Sequence, residues 1–147
     1  MQSFAYLRFV NLQLGGMSVE MTMLALAILL GFVQLFLAAH FVTAERGLGW
    51  NVGARDNTEP LGGRLAGRLD RAFQNFKETF PFFAAAVILA TVLGRHNWAT
   101  LWGSQLYLAA RILYVPLYAA GIPVIRTLVW ASASAGILLV VAALFMT

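Results

Sequence analysis

The stretch Met21–Phe41, MTMLALAILLGFVQLFLAAHF, contains no Asp, Glu, Lys or Arg. An α-helix needs about 20 consecutive apolar residues to cross the hydrocarbon core of a bilayer, so this stretch is long enough to span one. Ser18 precedes the stretch as a helix N-cap, and Glu20 adds an acid where the helix dipole favours one. The stretch therefore predicts a membrane-spanning helix.

The composition of the whole chain also indicates a membrane protein. The 147 residues are 61% hydrophobic and 11% charged, with a mean hydropathy of +0.77, whereas soluble domains carry about 25% charged residues. So few charges cannot coat a soluble core of this size. We therefore predict one integral membrane domain over residues 1–147, in contact with the lipid bilayer and without a separate soluble domain.

Further apolar segments follow the first one. The run Phe80–Leu93 is too short to cross alone, so its helix must begin earlier, in water, and Pro81 should kink it. A third span contains Arg111, and a fourth opens after Gly121 and Pro123. The predicted spans are 21–41, 65–93, 98–118 and 127–146, with a loop over about 42–64. The predicted fold class is an all-α bundle of four transmembrane helices.

The basic residues predict the orientation of this bundle. Arg8 and Arg95 fall on one side, and all other Lys and Arg fall on the opposite side or in the spans next to it. The positive-inside rule then places the loop 42–64 in the cytoplasm and both termini on the non-cytoplasmic side. The pI of about 10.1 is explained by this orientation, so we expect no nucleic-acid partner.

Small residues occur together in the fourth span. The run ASASAG occupies residues 131–136, and small residues let membrane helices approach closely. Such a surface is compatible with packing within one subunit and with packing between subunits.

Two kinds of site are excluded by residue type. Cysteine is absent, so disulfides and thiolate nucleophiles are ruled out, and a reactive thiol would have to arrive with a substrate. The histidines, His40 and His96, are too far apart in sequence to form a helical metal-binding pair. We expect no metal site.

A polar stripe occurs on the second predicted helix. Arg71, Asn75 and Glu78 stand at i, i+4 and i+7, which places them on one face. Such a stripe can simply be a solvated face with compensating charges. Glu78 fits that interpretation poorly, because it stands two residues before the aromatic cluster at residues 80–83, where an unpaired carboxylate is costly.

A second polar stripe occurs on the third predicted helix. Its members recur at spacings of three and four, and they are Ser104, Tyr107, Arg111, Tyr114 and Tyr118. Arg111 must either snorkel or point into the bundle. It could form an ion pair with Glu78 that sets the helix register, or it could belong to a ligand site.

Arg126 and Thr127 begin the fourth span, where an arginine can also snorkel. With Arg71 and Arg111, however, Arg126 makes three guanidinium groups expected at one depth, and Glu78 cannot satisfy all three. This charge pattern predicts a guest that carries carboxylates. A cationic neighbourhood also lowers the pKa of a bound thiol.

Three motifs carry a family resemblance. They are RAFQNFKETFPF at residues 71–82, RILYVPLY at 111–118 and PVIRT at 123–127. In type, order and separation they resemble motifs of the MAPEG superfamily, the membrane-associated proteins in eicosanoid and glutathione metabolism, and in particular its short bacterial members. The resemblance covers about residues 18–146.

The resemblance implies a homotrimer of four-helix bundles that binds glutathione as co-substrate between subunits, near the cytoplasmic face of a bacterial inner membrane. It implies that Arg126 is the catalytic residue and holds the glutathione thiolate, with Thr127 where some relatives have serine. The implied glutathione contacts are Arg71, Asn75, Glu78, Arg111, Tyr118 and, as a weaker match, Arg46. Tyr114 replaces a histidine of the prostaglandin E synthase branch, which argues against prostaglandin isomerase activity.

The function that these observations favour is a glutathione transferase or peroxidase acting on a lipophilic small molecule. One alternative is a scaffold that binds glutathione or lipid without turnover, as the lipoxygenase-activating branch of the superfamily does. Another is a small proton-coupled exporter that uses Glu20 or Glu78, although this function would leave the three arginines unexplained.

Overall fold

The computed structural model describes residues 16–56 and 59–146, and over these residues the chain forms five helices and no strand. Four helices are long and one is short. They are α1 (Val19–Arg46), α2 (Leu48–Val52), α3 (Arg64–Val92), α4 (Trp98–Ala120) and α5 (Pro123–Ala143). The predicted all-α class is confirmed for the described residues.

The helix ends differ in places from the predicted spans. α1 continues to Arg46, and the short helix α2 follows it, so the segment predicted as a loop over 42–64 is partly helical. α5 begins at Pro123 instead of residue 127, because proline is favoured in the first helical turn, and it ends at Ala143 instead of 146. Arg8 and the two chain ends, on which the predicted orientation partly depends, lie outside the described residues.

Short capping signals explain several helix boundaries. The Ser18 hydroxyl accepts a hydrogen bond from the Met21 amide at 3.2 Å, as expected of an N-cap. Asn97 and Thr100 form a reciprocal capping box at the start of α4. Gly121 ends α4 in a left-handed conformation, with φ 79° and ψ 31°, which glycine adopts without steric cost. The tight turn between α4 and α5 follows from this glycine.

Hydrogen bonds at the two ends of the bundle show that the long helices alternate in direction. At one end, the Glu45 carboxylate accepts from the Gly63 amide at 3.0 Å, and Arg68 of α3 donates to the Ala119 carbonyl of α4 at 3.0 Å. At the other end, Arg95 donates to the carbonyl of Met146 at 2.9 Å. The end that holds Arg68 is the one predicted to face the cytoplasm, and we call it the basic end.

A buried cluster that the sequence did not predict joins α1 to α4 at the end opposite the basic end. Glu20 is only 3% exposed. Its carboxylate accepts a hydrogen bond from the Thr100 hydroxyl at 2.6 Å and lies 3.4 Å from Nδ1 of His96. Glu20 is therefore more than a helix-dipole acid, since it also fixes the start of α1 against the start of α4.

We expect Thr100→Val to destabilise the protein by about 2 kcal/mol, because the buried Glu20 carboxylate and the backbone N–H of Asn97 would each lose a hydrogen-bond partner. Thr100→Ser keeps the hydroxyl and should cost less than about 1 kcal/mol. Reversible unfolding in detergent micelles measures the difference. Equal losses in the two variants would contradict this role of the hydroxyl.

Helices α4 and α5 cross closely at two glycines. A Cβ atom added to Gly103 would lie 2.7 Å from the Gly136 carbonyl oxygen, and a Cβ atom on Gly136 would lie 2.7 Å from the Gly103 carbonyl oxygen. Ala133 is buried nearby in the same helix. The small residues at 131–136 therefore pack at least partly within one subunit. The sequence allowed packing within or between subunits, and at Gly136 the packing is within one subunit.

The outer surface of the bundle is apolar. Large side chains such as Phe36 and Leu138, each 67% exposed, point away from the core, which suits contact with lipid. Two helices, Val19–Arg46 and Pro123–Ala143, are long and apolar enough to cross a membrane by length and composition. α3 continues as a helix through Pro81, and α4 does so through Pro116.

Candidate functional site

Arg111 of α4 lies inside the bundle and is only 1% exposed. Its Nη1 donates to Oδ1 of Asn75 at 2.8 Å, and its Nη2 donates to the hydroxyl of Thr79, so both contacts join α4 to α3. The rings of Tyr107 and Tyr114 flank the guanidinium, with centroids 5.6 and 5.4 Å from Cζ. Of the two orientations that the sequence allowed, Arg111 adopts the inward one.

The side chains in direct contact with Arg111 are neutral. In the part of the chain that the structure describes, Arg111 and Glu78 do not form an ion pair, so the register pair considered from the sequence is not present. Two neutral acceptors and two aromatic faces satisfy the cation in part, while Nε is buried without a hydrogen-bond partner. A buried cation without a carboxylate is costly, and such groups in membrane proteins commonly mark functional sites.

The contact with Arg111 orients the side-chain amide of Asn75. A guanidinium has only donors, so the amide oxygen of Asn75 must face Arg111. The NH₂ group of Asn75 then points the other way, where it lies 3.5 Å from Oε2 of Glu78. Asn75 therefore offers hydrogen-bond donors on the side away from Arg111.

A cavity of about 190 Å³ lies beside Asn75, close to the basic end of the bundle. Side chains of α3, α4 and α5 line it, and they are Asn75, Tyr114, Tyr118, Arg126, Thr127 and Trp130. Five of these six residues are candidates from the sequence analysis, which Trp130 is not. The cavity is thus the place where the two polar stripes and the start of the fourth span meet.

Arg126 is held at this cavity by an aromatic ring. Its Cζ lies 4.4 Å from the centroid of the Tyr118 ring, a cation–π contact that leaves the guanidinium N–H groups available to a ligand. The Thr127 hydroxyl donates to the Pro123 carbonyl at 3.0 Å, within α5. The cavity therefore presents a cation and several neutral donors, a combination that favours an anionic guest.

The sequence of the chain matches a known protein family. The model of the MAPEG family matches residues 23–146, which is most of the chain. The chain belongs to the MAPEG family. This family of helical membrane proteins includes glutathione-dependent transferases and peroxidases as well as other members. No curated protein matches the chain.

Not all the residues expected from the MAPEG motifs reach the cavity. The guanidinium of Arg71 folds back over Gly67, where an added Cβ would lie 3.2 Å from its Nη1. Glu78 is exposed on the outside of α3. Arg46 donates to the Glu59 carbonyl and stacks on Trp50 at 4.4 Å, in the α1–α3 connection.

The three guanidinium groups therefore do not share one cavity in a single chain. Arg126 lines the cavity wall, Arg111 lies behind Asn75, and Arg71 lies outside. Within one subunit the expected convergence is not seen, because helical spacing gives the face of each helix but not the rotamers of long side chains or the rotation of one helix against another.

Two residues at this site were missed in the sequence. Thr79 contacts Arg111, and it stands four residues after Asn75, so the same helical periodicity could have revealed it. Trp130, which was not a candidate from the sequence, lines the cavity. Its spacing of four from Arg126 was the available signal.

An apolar groove adjoins the polar site in this MAPEG chain. It has a volume of about 570 Å³ and lies between α3 and α5. Thr79, Phe82 and Leu89 line one side, and Ser134, Leu138 and Phe145 line the other. Thr79 thus faces the groove and also contacts Arg111. The hydrogen-bond network of Arg111, Asn75 and Thr79 therefore borders a surface open to lipophilic molecules.

Proposed function

We propose that this protein is a glutathione transferase or peroxidase with four membrane spans, which joins glutathione to a lipophilic electrophile or uses it to reduce one. We further propose that it acts as a homotrimer in a bacterial inner membrane, with the basic end in the cytoplasm. Membership of the MAPEG family supports the class of function. The more specific assignment rests on the site.

The observation that carries the proposal is the cavity at the basic end. It combines the side chains of Arg126, Asn75, Tyr114 and Tyr118 in a cleft between membrane helices. Glutathione has two carboxylates and a thiol that ionises, so it matches a site rich in cations and donors.

A single chain supports only part of such a site. The cavity of about 190 Å³ is smaller than the roughly 300–1,000 Å³ of typical ligand pockets. The outer face of α3 exposes Arg71, Gln74 and Glu78, and the Glu78 carboxylate, next to the apolar run at 80–93, is unfavourable against lipid. A second subunit placed on this face would cover these groups and enlarge the cavity, which supports the homotrimer.

The proposed mechanism depends on binding and charge. With a second subunit on the outer face of α3, Asn75 and Arg71 hold the carboxylates of glutathione, Glu78 holds its ammonium group, and Arg126 stabilises the thiolate. The sulfur forms a bond to the electrophilic carbon while the leaving group departs with its electron pair, and the thiol proton passes to water at the basic end. The rate gain comes from positioning and from the larger fraction of thiolate.

Binding of glutathione to the purified protein tests the proposal directly. We expect glutathione at 100 times its Kd to stabilise the folded protein by about 2.7 kcal/mol, seen as a higher unfolding temperature. N-acetylcysteamine, a thiol without carboxylates, is the control ligand and should not stabilise it at the same concentration. Equal effects of the two thiols would exclude a carboxylate-binding site.

The scaffold remains the second candidate because of the apolar groove between α3 and α5. A protein that binds glutathione and a chlorodinitrobenzene but forms no conjugate in a single turnover would be a scaffold. The exporter alternative gains no support at Glu20, whose carboxylate is bound to Thr100 at the end of the bundle opposite Arg126.

A further inference from the structure

The side chain of Thr79 contacts Arg111, Tyr107 and the backbone of α3. Its hydroxyl accepts a hydrogen bond from Nη2 of Arg111 and lies 3.5 Å from the Tyr107 hydroxyl. It also lies 3.4 and 3.3 Å from the carbonyl oxygens of Asn75 and Phe76, to which it can donate. Thr79 does not line the polar cavity, so any effect on a ligand there must pass through other residues.

The hydrogen bonds of Arg111 have a fixed direction. Arginine cannot accept a hydrogen bond, so both Thr79 and Asn75 must present oxygen atoms to it. Arg111 itself does not line the cavity. Any effect of Arg111 on a ligand is therefore indirect. It acts through Asn75, because Arg111 binds the amide oxygen and leaves the NH₂ end of the amide on the other side.

Loss of the Thr79 hydroxyl would release this arrangement. Nε of Arg111 already lacks a partner, so a second unsatisfied donor on the same buried guanidinium would be strongly unfavourable. Arg111 would then turn toward another acceptor, and the Asn75 amide would lose the contact that sets its orientation.

We propose that Thr79 is a positioning residue, which holds Arg111 so that the Asn75 side chain turns its NH₂ group toward the cavity and donates to an acceptor oxygen of the ligand. For glutathione this acceptor is a carboxylate oxygen, and that part of the inference rests on the function proposed above. The orientation of the amide itself does not depend on the identity of the ligand.

Two substitutions at Thr79 test the role of its hydroxyl separately from the role of its side-chain shape. Thr79→Val keeps the branched side chain that faces the apolar groove and removes the hydroxyl, whereas Thr79→Ser keeps the hydroxyl. We expect Thr79→Val to raise the KM for glutathione about tenfold with little change in kcat, because Arg126 still holds the thiolate. Thr79→Ser should restore the wild-type KM. A wild-type KM in Thr79→Val would overturn the inference.

Asn75→Asp provides an independent test that does not require Thr79→Val to fold. An aspartate keeps an oxygen toward Arg111, so the contact between α3 and α4 is retained. It also replaces the NH₂ donor by an acceptor, so glutathione binding should weaken at least about tenfold. Unweakened binding would show that the amide is not oriented as proposed.

The outcomes also distinguish this inference from the proposed function. If the wild-type protein does not bind glutathione, the proposed function fails, and the unfolding temperatures still test the network. In that case Thr79→Val should unfold at a lower temperature than Thr79→Ser, and equal temperatures would refute the positioning role. If glutathione binds and Thr79→Val leaves KM unchanged, the proposed function stands and the inference fails.

Discussion

Replacement of Arg126 by leucine is expected to lower kcat/KM for conjugation of a chlorodinitrobenzene by roughly 100-fold at neutral pH. Arg126 is the cation on the wall of the cavity, held 4.4 Å from the Tyr118 ring. In the proposed mechanism, removal of Arg126 takes away the charge that stabilises the ionised form of the bound thiol. Steady-state kinetics of the purified protein, with both substrates varied, measure the loss.

The pH dependence gives this prediction a second readout. In the proposed mechanism Arg126 lowers the pKa of the bound thiol, so the wild type is expected to keep the thiolate at neutral pH and Arg126→Leu is not. The loss of kcat/KM in Arg126→Leu relative to the wild type should therefore become smaller as the pH rises above the ordinary thiol pKa of about 8.5. A deficit independent of pH would assign Arg126 to binding instead of thiolate stabilisation.

Two further variants serve as controls for Arg126→Leu. Arg126→Lys retains a charge but loses the planar donor group, so it should recover only part of the activity. Arg64→Ala removes an exposed arginine at the start of α3, outside the cavity, and should leave the kinetics unchanged. A comparable loss in Arg64→Ala would mean that overall charge, and not the site, decides the rate.

Replacement of Gly103 by valine is expected to cost about 3 kcal/mol or more of folding stability. A Cβ atom at this position would meet the Gly136 carbonyl oxygen at 2.7 Å and Cγ2 of Val140 at 2.8 Å. Because the first of these atoms belongs to the backbone of α5, the two helices would have to move apart. Unfolding by SDS titration or by heat in detergent measures the loss.

Gly49→Val is the matched control for the helix crossing. Gly49 lies in the short helix α2, and an added Cβ there meets no atom within 4 Å. The same substitution should therefore cost no more than the small change in helix propensity. If Gly103→Val were as stable as Gly49→Val, the close approach of α4 and α5 would not be required for the fold.

Much of the fold was predictable because it depends on local properties of the chain. The uncharged stretch at 21–41 and the start of α4 at Trp98 follow from hydropathy and from the Asn97 cap. The short helix α2 was missed because five residues carry too little periodicity to be recognised.

The candidate site was predicted in part. Helical spacing correctly grouped Tyr114 with Tyr118, and both line the cavity with Asn75 and Arg126. The same spacing could not show that the guanidinium of Arg71 folds back over Gly67, because the rotamers of a long side chain depend on its neighbours in space.

The amino-acid sequence by itself determined that the chain is a helical membrane protein, which faces of its helices are polar, and to which family it belongs. These properties follow from hydropathy, periodicity and motif spacing, which are read along one helix at a time. Only the tertiary structure decided that Arg111 binds Asn75 and Thr79 instead of Glu78, and that Glu20 meets Thr100. Such pairs depend on how far each rigid helix is rotated and shifted against its neighbours, and close packing at contacts such as Gly103 with Gly136 sets that arrangement.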